Sequence, residues 1–277
     1  MESGTSGLDH ERVAISYQTY LWPANLFQNS IYLQIKSANA GNQMVDSKNV
    51  SAYYKDTSNK ISLASRISFQ ARKNIFRLFV MVMKPSEHDS VLDIGVTSDT
   101  LFKESNFFEQ FYPYKERIVC VGTEDGSHLE KQHAGIRFVR ILPNEGMPFP
   151  DKHFDIVFSN AVVEHAGNSE AQAAFIREAC RVGKRVFITT PNRWFPVEHH
   201  TAVPLLHYLP KRMYRVILRN TSLTYWSHEE NLNLLSRREF AALFARDYPV
   251  TIRHTGIGMR ALKSNLVAYT NDWEAET

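Results

Sequence analysis

Apolar residues first fall at helical intervals between Ser65 and Met83, where Ile67, Phe69, Ile75, Phe76, Phe79 and Val82 recur among Arg66, Arg72, Lys73 and Arg77. That spacing predicts an amphipathic helix leading into the body of the chain. The period then changes. Val91 to Ile94 is a short apolar run that reads as a buried strand, and Gly95 permits a sharp turn at its end. Similar runs return at Arg117–Gly122, Ile136–Val139, Phe154–Asn160 and Arg185–Thr190, with helical patterns between them at Leu101–Phe111, near His128 and at Glu170–Arg181. Strand and helix in alternation predict a parallel sheet with helices on both faces. Val250–His254 and Asn265–Thr270 are placed to finish the sheet as a hairpin, and Ser236 with Glu239 forms a capping box for a helix running to Ala245.

Two stretches break this rhythm. Residues 1–65 mix Ser, Asn and Gln with scattered aromatics and have no sustained period, so they read as an extension packed on the core or as a substrate lid. Tyr53 and Tyr54 are its most lid-like residues. The insertion 191–235, rich in His, Pro and Trp, is too long for a plain connection and reads as a lid over a substrate. Inside it, residues 202–219 set apolar positions against Lys211, Arg212, Arg215 and Arg219, with Pro210 as a break. A packed lid helix is one reading of that stretch and a grip on an anionic acceptor the other.

Composition narrows the classes. The 277 residues suffice for one α/β domain, 66–277, plus the extension, and 43% hydrophobic with 22% charged residues is a globular balance. A net charge of +3 without a basic block gives no footprint of a nucleic-acid binder. Cys120 and Cys180 fall in strand and helix patterns and read as core residues. No apolar run is long enough to cross a bilayer and the first residues lack a signal pattern, so a cytoplasmic location is expected.

Ligands of open α/β sheets bind at the carboxyl ends of the strands, which directs attention to Ser90–Asp99, SVLDIGVTSD. This stretch resembles motif I of class I S-adenosylmethionine-dependent methyltransferases: Asp93 and Gly95 match, and Thr97 and Asp99 stand at the next two glycine positions. The resemblance implies a Rossmann-like, doubly wound, mostly parallel seven-stranded sheet with a C-terminal antiparallel hairpin, and S-adenosyl-L-methionine as cofactor. Asp93 would then serve the ammonium of the methionine moiety, and Thr97 and Ser98 its carboxylate. Asp99 would oppose that carboxylate, or else cap a helix. Glu124, at the end of the second strand, would accept hydrogen bonds from both ribose hydroxyls, with Asp125 as its alternate.

Two later stretches extend the resemblance. MPFPDKHFDIVFSNAVVEH, 147–165, is similar to the family's fourth-strand region, which implies that Ser159 and Asn160 lie near the methionine moiety and that Glu164 and His165 open the substrate side. Asn144, or a backbone group, would read the adenine. TTPNRWFPVEHHTAVPLLHYLP, 189–210, is similar to the same segment in bacterial methyltransferase-domain proteins. It offers Glu198, His199 and His200 within short reach, a cluster able to accept a proton near neutral pH, with Trp194 on the substrate side. His199, His200 and His207 lack the spacing of helical ligand pairs, so no metal is expected, and His207 reads as a packed lid residue.

The expected activity is transfer of a methyl group to an oxygen or nitrogen of a small-molecule acceptor, natural product or sugar-like, in biosynthesis. His165 and His200 are the base candidates, with Glu198 beside them. Neither a nucleic-acid partner nor a membrane-spanning segment is expected, and a homodimer is the assembly left open. A non-catalytic cofactor-binding or partner subunit is the alternative. A nicotinamide oxidoreductase would need G-x-G-x-x-G where the chain has GVTSDT.

Overall fold

The computed structural model describes residues 63–100, 104–142, 146–245 and 248–270. Tyr53, Tyr54 and Asn144 lie outside them. The elements are α1 (Leu63–Met83), β1 (Val91–Ile94), α2 (Phe107–Phe111), β2 (Ile118–Gly122), α3 (His128–Gln132), β3 (Arg137–Arg140), β4 (Phe154–Asn160), α4 (Ser169–Val182), β5 (Gly183–Pro191), α5 (Lys211–Arg219), α6 (Arg237–Ala242), β6 (Val250–Thr255) and β7 (Asn265–Thr270). The seven strands form one sheet in the order β3-β2-β1-β4-β5-β7-β6. The first five run parallel, and β7 pairs antiparallel with both β5 and β6.

Because successive side chains of a strand point to opposite faces, β1 divides its residues between two cores. Leu92 and Ile94 join Val119, Val121, Val157 and Ile188 under α4 and α6, whose Phe175, Ile176, Ala179 and Phe240 seal that face. Val91 faces the other way, with Ile118, Ile156, Phe158, Phe187 and Tyr269, toward α1 and α2. Ile75, Phe79 and Met83 recur every fourth residue along α1 and are all buried there. The Phe79 ring sits edge-on to Phe108, Phe158 and Phe187 at 5.1, 5.5 and 5.4 Å. Truncating such a ring in a close-packed core costs about 3–5 kcal/mol.

Several elements are shorter than their patterns predict. Of the helix expected over Leu101–Phe111, the described residues 104–111 are helical at Phe107–Phe111. Asn106 there is left-handed, with φ 48°, and its side chain clasps the backbone of Thr97, which fixes where the helix can begin. The capping box at Ser236 and Glu239 forms in full, but its helix ends at Ala242. In the basic stretch 202–219, Leu205 is left-handed and Pro210 stands at the N-cap, so the helix is confined to Lys211–Arg219. The insertion is tied at both ends: Asn192 donates to the Ser264 carbonyl and bridges to Leu235, and the Asn233 N–H donates to the Glu164 carbonyl. No helix among the described residues is long and apolar enough to cross a membrane.

Candidate functional site

A cavity of about 430 Å³ opens at the carboxyl ends of β1 and β4, within the size range of small-molecule sites. Its wall runs from Asp93 to Thr97, continues through Asn160 and Ala161, and is completed from the insertion by His199, His200, Tyr225 and Trp226. Ala161 holds φ at 57°, a conformation a side chain adopts at some cost and one that clusters at functional sites.

The loop after β1 is closely braced. Gly95 turns with φ 97°, and the N–H groups of Gly95 and Val96 both donate to the Val121 carbonyl. A Cβ on Gly122 would stand 2.7 Å from the Val96 oxygen, so only glycine lets β2 pass this close to the loop. The Thr97 N–H donates to Asn106 Oδ1 at 3.0 Å, and the N–H and hydroxyl of Ser98 both donate to Glu124 Oε2. Asp99 accepts from the Ser105 hydroxyl at 2.6 Å. Glu124 therefore stands at the end of β2, where the ribose acid is expected, with its carboxylate on Ser98. Asp125 is exposed and accepts from the Ser127 N–H, which lowers its pKa.

Asp93 is buried and faces Glu109 of α2. Burial raises its pKa well above the usual carboxylate range, and the neighbouring Glu109 raises it further. Cys120, beside it on β2, donates its thiol to Glu109 Oε1 at 3.1 Å. At the end of β4, Ser159 donates to the Ile94 carbonyl and Asn160 accepts from the Thr189 hydroxyl.

The second half of the site joins two segments far apart in the chain. Glu164 and His165 lie on a 3-10 turn, Val163–His165, just beyond β4, and Glu198, His199 and His200 come from the insertion. Glu198 is buried and accepts from the His200 and Thr201 N–H groups and, at 2.6 Å, from His200 Nδ1. Burial works against its charge, but the His200 imidazole outweighs it and holds the carboxyl well below its usual range. His200 answers in kind: burial opposes its protonation, Glu198 outweighs burial, and its pKa is raised. His165 donates Nδ1–H to the Asn231 carbonyl at 2.6 Å, and its ring meets the His200 ring edge-on at 4.9 Å. Burial, then the charge of His200, lowers His165 to about 4 and His199 to about 3. Glu164 is fully buried and pushed up to about 7, mainly by that burial; its Oε2 accepts from the Thr190 hydroxyl at 3.0 Å.

The structure thus brings His165, His200, Glu198, His199 and Glu164 together. It keeps Trp194 apart: that ring packs on Tyr208 at 5.4 Å and is not among the residues of the cavity wall. His207 is buried with Nε2 on the Phe195 carbonyl. Among the contributors that the sequence did not single out, Arg72 lines the cavity from α1, and Glu109 and Trp226 reach the site through tertiary packing that no local pattern encodes.

Residues 106–186 match a family described as the methyltransferase domain. No curated protein matches. Among solved structures, a protein of Pyrococcus horikoshii is 16% identical, with 83% of this chain and 99% of that one covered and a TM-score of 0.49. A SAM-dependent methyltransferase of Thermotoga maritima is 14% identical over 81% and 99%, with a TM-score of 0.48. One of Aquifex aeolicus is 13% identical over 81% and 97%, with a TM-score of 0.45.

Proposed function

We propose that the chain, whose residues 106–186 match a family described as the methyltransferase domain, is a class I S-adenosylmethionine-dependent methyltransferase that methylates an oxygen of a small-molecule acceptor, whose hydroxyl proton passes to His200. The observation that carries this reading is His200, on the wall of the cavity that Asp93–Thr97 and Asn160 also line, with the buried Glu198 behind it, Nδ1 to Oε1 at 2.6 Å.

The donor set at the strand ends fits the cofactor. Asp93 and Asn160 offer a carboxyl group and an amide inside the cavity to the methionine moiety, and Glu124 offers a carboxylate at the end of β2 to the ribose. When bound, S-adenosylmethionine supplies a methyl group already activated by its sulfonium. Little is then asked of the protein beyond placing the nucleophile in line and accepting its proton. His200 suits the second task. Glu198 accepts a hydrogen bond from Nδ1–H, so in the neutral ring the Nε2 lone pair is the one free to accept a proton, and the buried carboxylate stabilises the imidazolium that results. Trp226, its ring 4.9 Å from His200, gives the acceptor an apolar wall. The insertion 192–235, which supplies both, acts as the substrate-binding element.

Turnover of the full chain with S-adenosylmethionine and a panel of small phenols, sugars and amines, read as S-adenosylhomocysteine formed, tests this. Hydroxyl compounds are the expected substrates. His200→Ala lowers kcat about 10²- to 10⁴-fold and leaves the KM for the cofactor nearly unchanged. Product from amines alone, or an undiminished kcat in the variant, contradicts the reading.

A further inference from the structure

Glu164 is a buried carboxylate whose Oε1 has no hydrogen-bond partner among the described residues. Leaving a carboxylate oxygen so is costly, and buried charges are ordinarily paired or bound to metal. His165 Nε2 lies 3.9 Å from that oxygen, and one ring nitrogen of His200 completes a group of three donor atoms that all lie within 4.8 Å of one another.

The hydrogen bonds behind these rings decide which nitrogens keep a free lone pair. His165 gives Nδ1–H to the Asn231 carbonyl, and His200 gives Nδ1–H to Glu198, each at 2.6 Å. Both neutral rings are thereby held in the tautomer whose Nε2 carries a lone pair. A second-sphere carbonyl on one histidine and a carboxylate on the other is the support that metal-binding imidazoles regularly have. A second grouping, Glu198 with His199 and His200, is weaker, because both Glu198 oxygens already accept hydrogen bonds.

We propose that Glu164 Oε1, His165 Nε2 and His200 Nε2 bind one divalent cation of the zinc type, with an open position that takes the oxygen of the acceptor. Two imidazoles and one carboxylate form a donor set that suits zinc and its neighbours, and three protein ligands leave room for a further one. His200 lines the cavity, so that position is reached from the acceptor's side. The proposal rests on reading this cavity as the acceptor site. A bound cation takes over from His200 the task of ionising the acceptor hydroxyl, whose proton then passes to water in the open cavity, so His200→Ala is disabling on either account and a metal titration is what separates them.

The full chain, freed of metal with a chelator, is titrated with Co²⁺ followed by visible absorption and with Zn²⁺ followed by calorimetry. One equivalent of each is expected to bind, and the Co²⁺ bands report nitrogen and oxygen ligands. Glu164→Gln and His165→Ala weaken binding at least 10-fold. Glu198→Gln, which replaces the carboxylate behind His200 Nδ1, weakens it about 10- to 100-fold. Each variant's circular dichroism checks its folding; should one fail to fold, the wild-type spectrum and a zinc-dependent rise in Tm decide. Absence of Co²⁺ and Zn²⁺ binding to the wild type, or unchanged binding in folded variants, overturns the site. S-adenosylmethionine binding, measured on the same samples, keeps the two readings apart. Its persistence without cation binding removes the cation and leaves methyl transfer standing, and cation binding without it does the reverse.

Discussion

Asp155 shows how far one side chain can tie distant parts of the chain together. It stands in β4 and accepts from the N–H and hydroxyl of Ser90, at 2.9 and 2.7 Å, and from Lys184 Nζ of β5 at 2.7 Å. Burial pushes its pKa up, but Lys184 and Ser90 outweigh burial and bring it to about 2. The folded pKa is below the unfolded value near 3.9, so the stabilisation is complete above about pH 5 and is lost as pH falls from about 4 toward 2. The group is partly exposed, and with solvent screening about 1 kcal/mol is at stake. Urea unfolding at pH 7 and pH 3 reads it directly: Asp155→Asn is about 1 kcal/mol less stable than the wild type at pH 7, and the difference narrows at pH 3. A constant difference contradicts the assignment. At this scale the sequence revealed donors better than partners. Asp93, Glu124, His165 and His200 were legible as chemistry because strand ends and short polar motifs expose them. That Asp93 faces Glu109, or that Glu124 rests on Ser98, depends on packing between elements far apart in the chain.

At the scale of elements, β1, β2 and β4 were legible nearly to the residue, because buried parallel strands are continuous apolar runs with polar ends, while β3, half-exposed at the sheet edge, lies one residue beyond its predicted run. Helix ends were less so. α2 begins where Asn106 clasps the Thr97 backbone, a tertiary contact that overrides the helical spacing of the residues before it. α6 was legible at its start and not at its end. Its Ser236 hydroxyl accepts from the Glu239 N–H while the Glu239 carboxylate accepts from the Ser236 N–H, so two free backbone donors are satisfied at once. In a helix of six residues that cap is a large share of the local stability. Ser236→Ala is expected to cost about 1 kcal/mol and to lower Tm by about 2–4 °C, read by differential scanning calorimetry; an unchanged Tm would mean that packing of Phe240 alone holds the helix in place.

Over the whole molecule, the sheet order places the ends of β1, β2 and β4 side by side and folds the insertion back so that His199 and His200 share a cavity with Asp93 and Asn160. The order of motifs along the chain implied this architecture. The joining of Glu164 and His165 to the Glu198–His200 pair was not implied, because it depends on where the insertion returns to the sheet, at Asn233 and Leu235. The account stands on cofactor binding at those strand ends, and isothermal calorimetry of the full chain with S-adenosylmethionine and S-adenosylhomocysteine measures it most directly. The account predicts one equivalent of each bound, with affinity for both about 10-fold or more weaker in Glu124→Ala, the loss expected when a charged acceptor of hydrogen bonds is removed. No binding of either compound to the folded wild-type chain would contradict it.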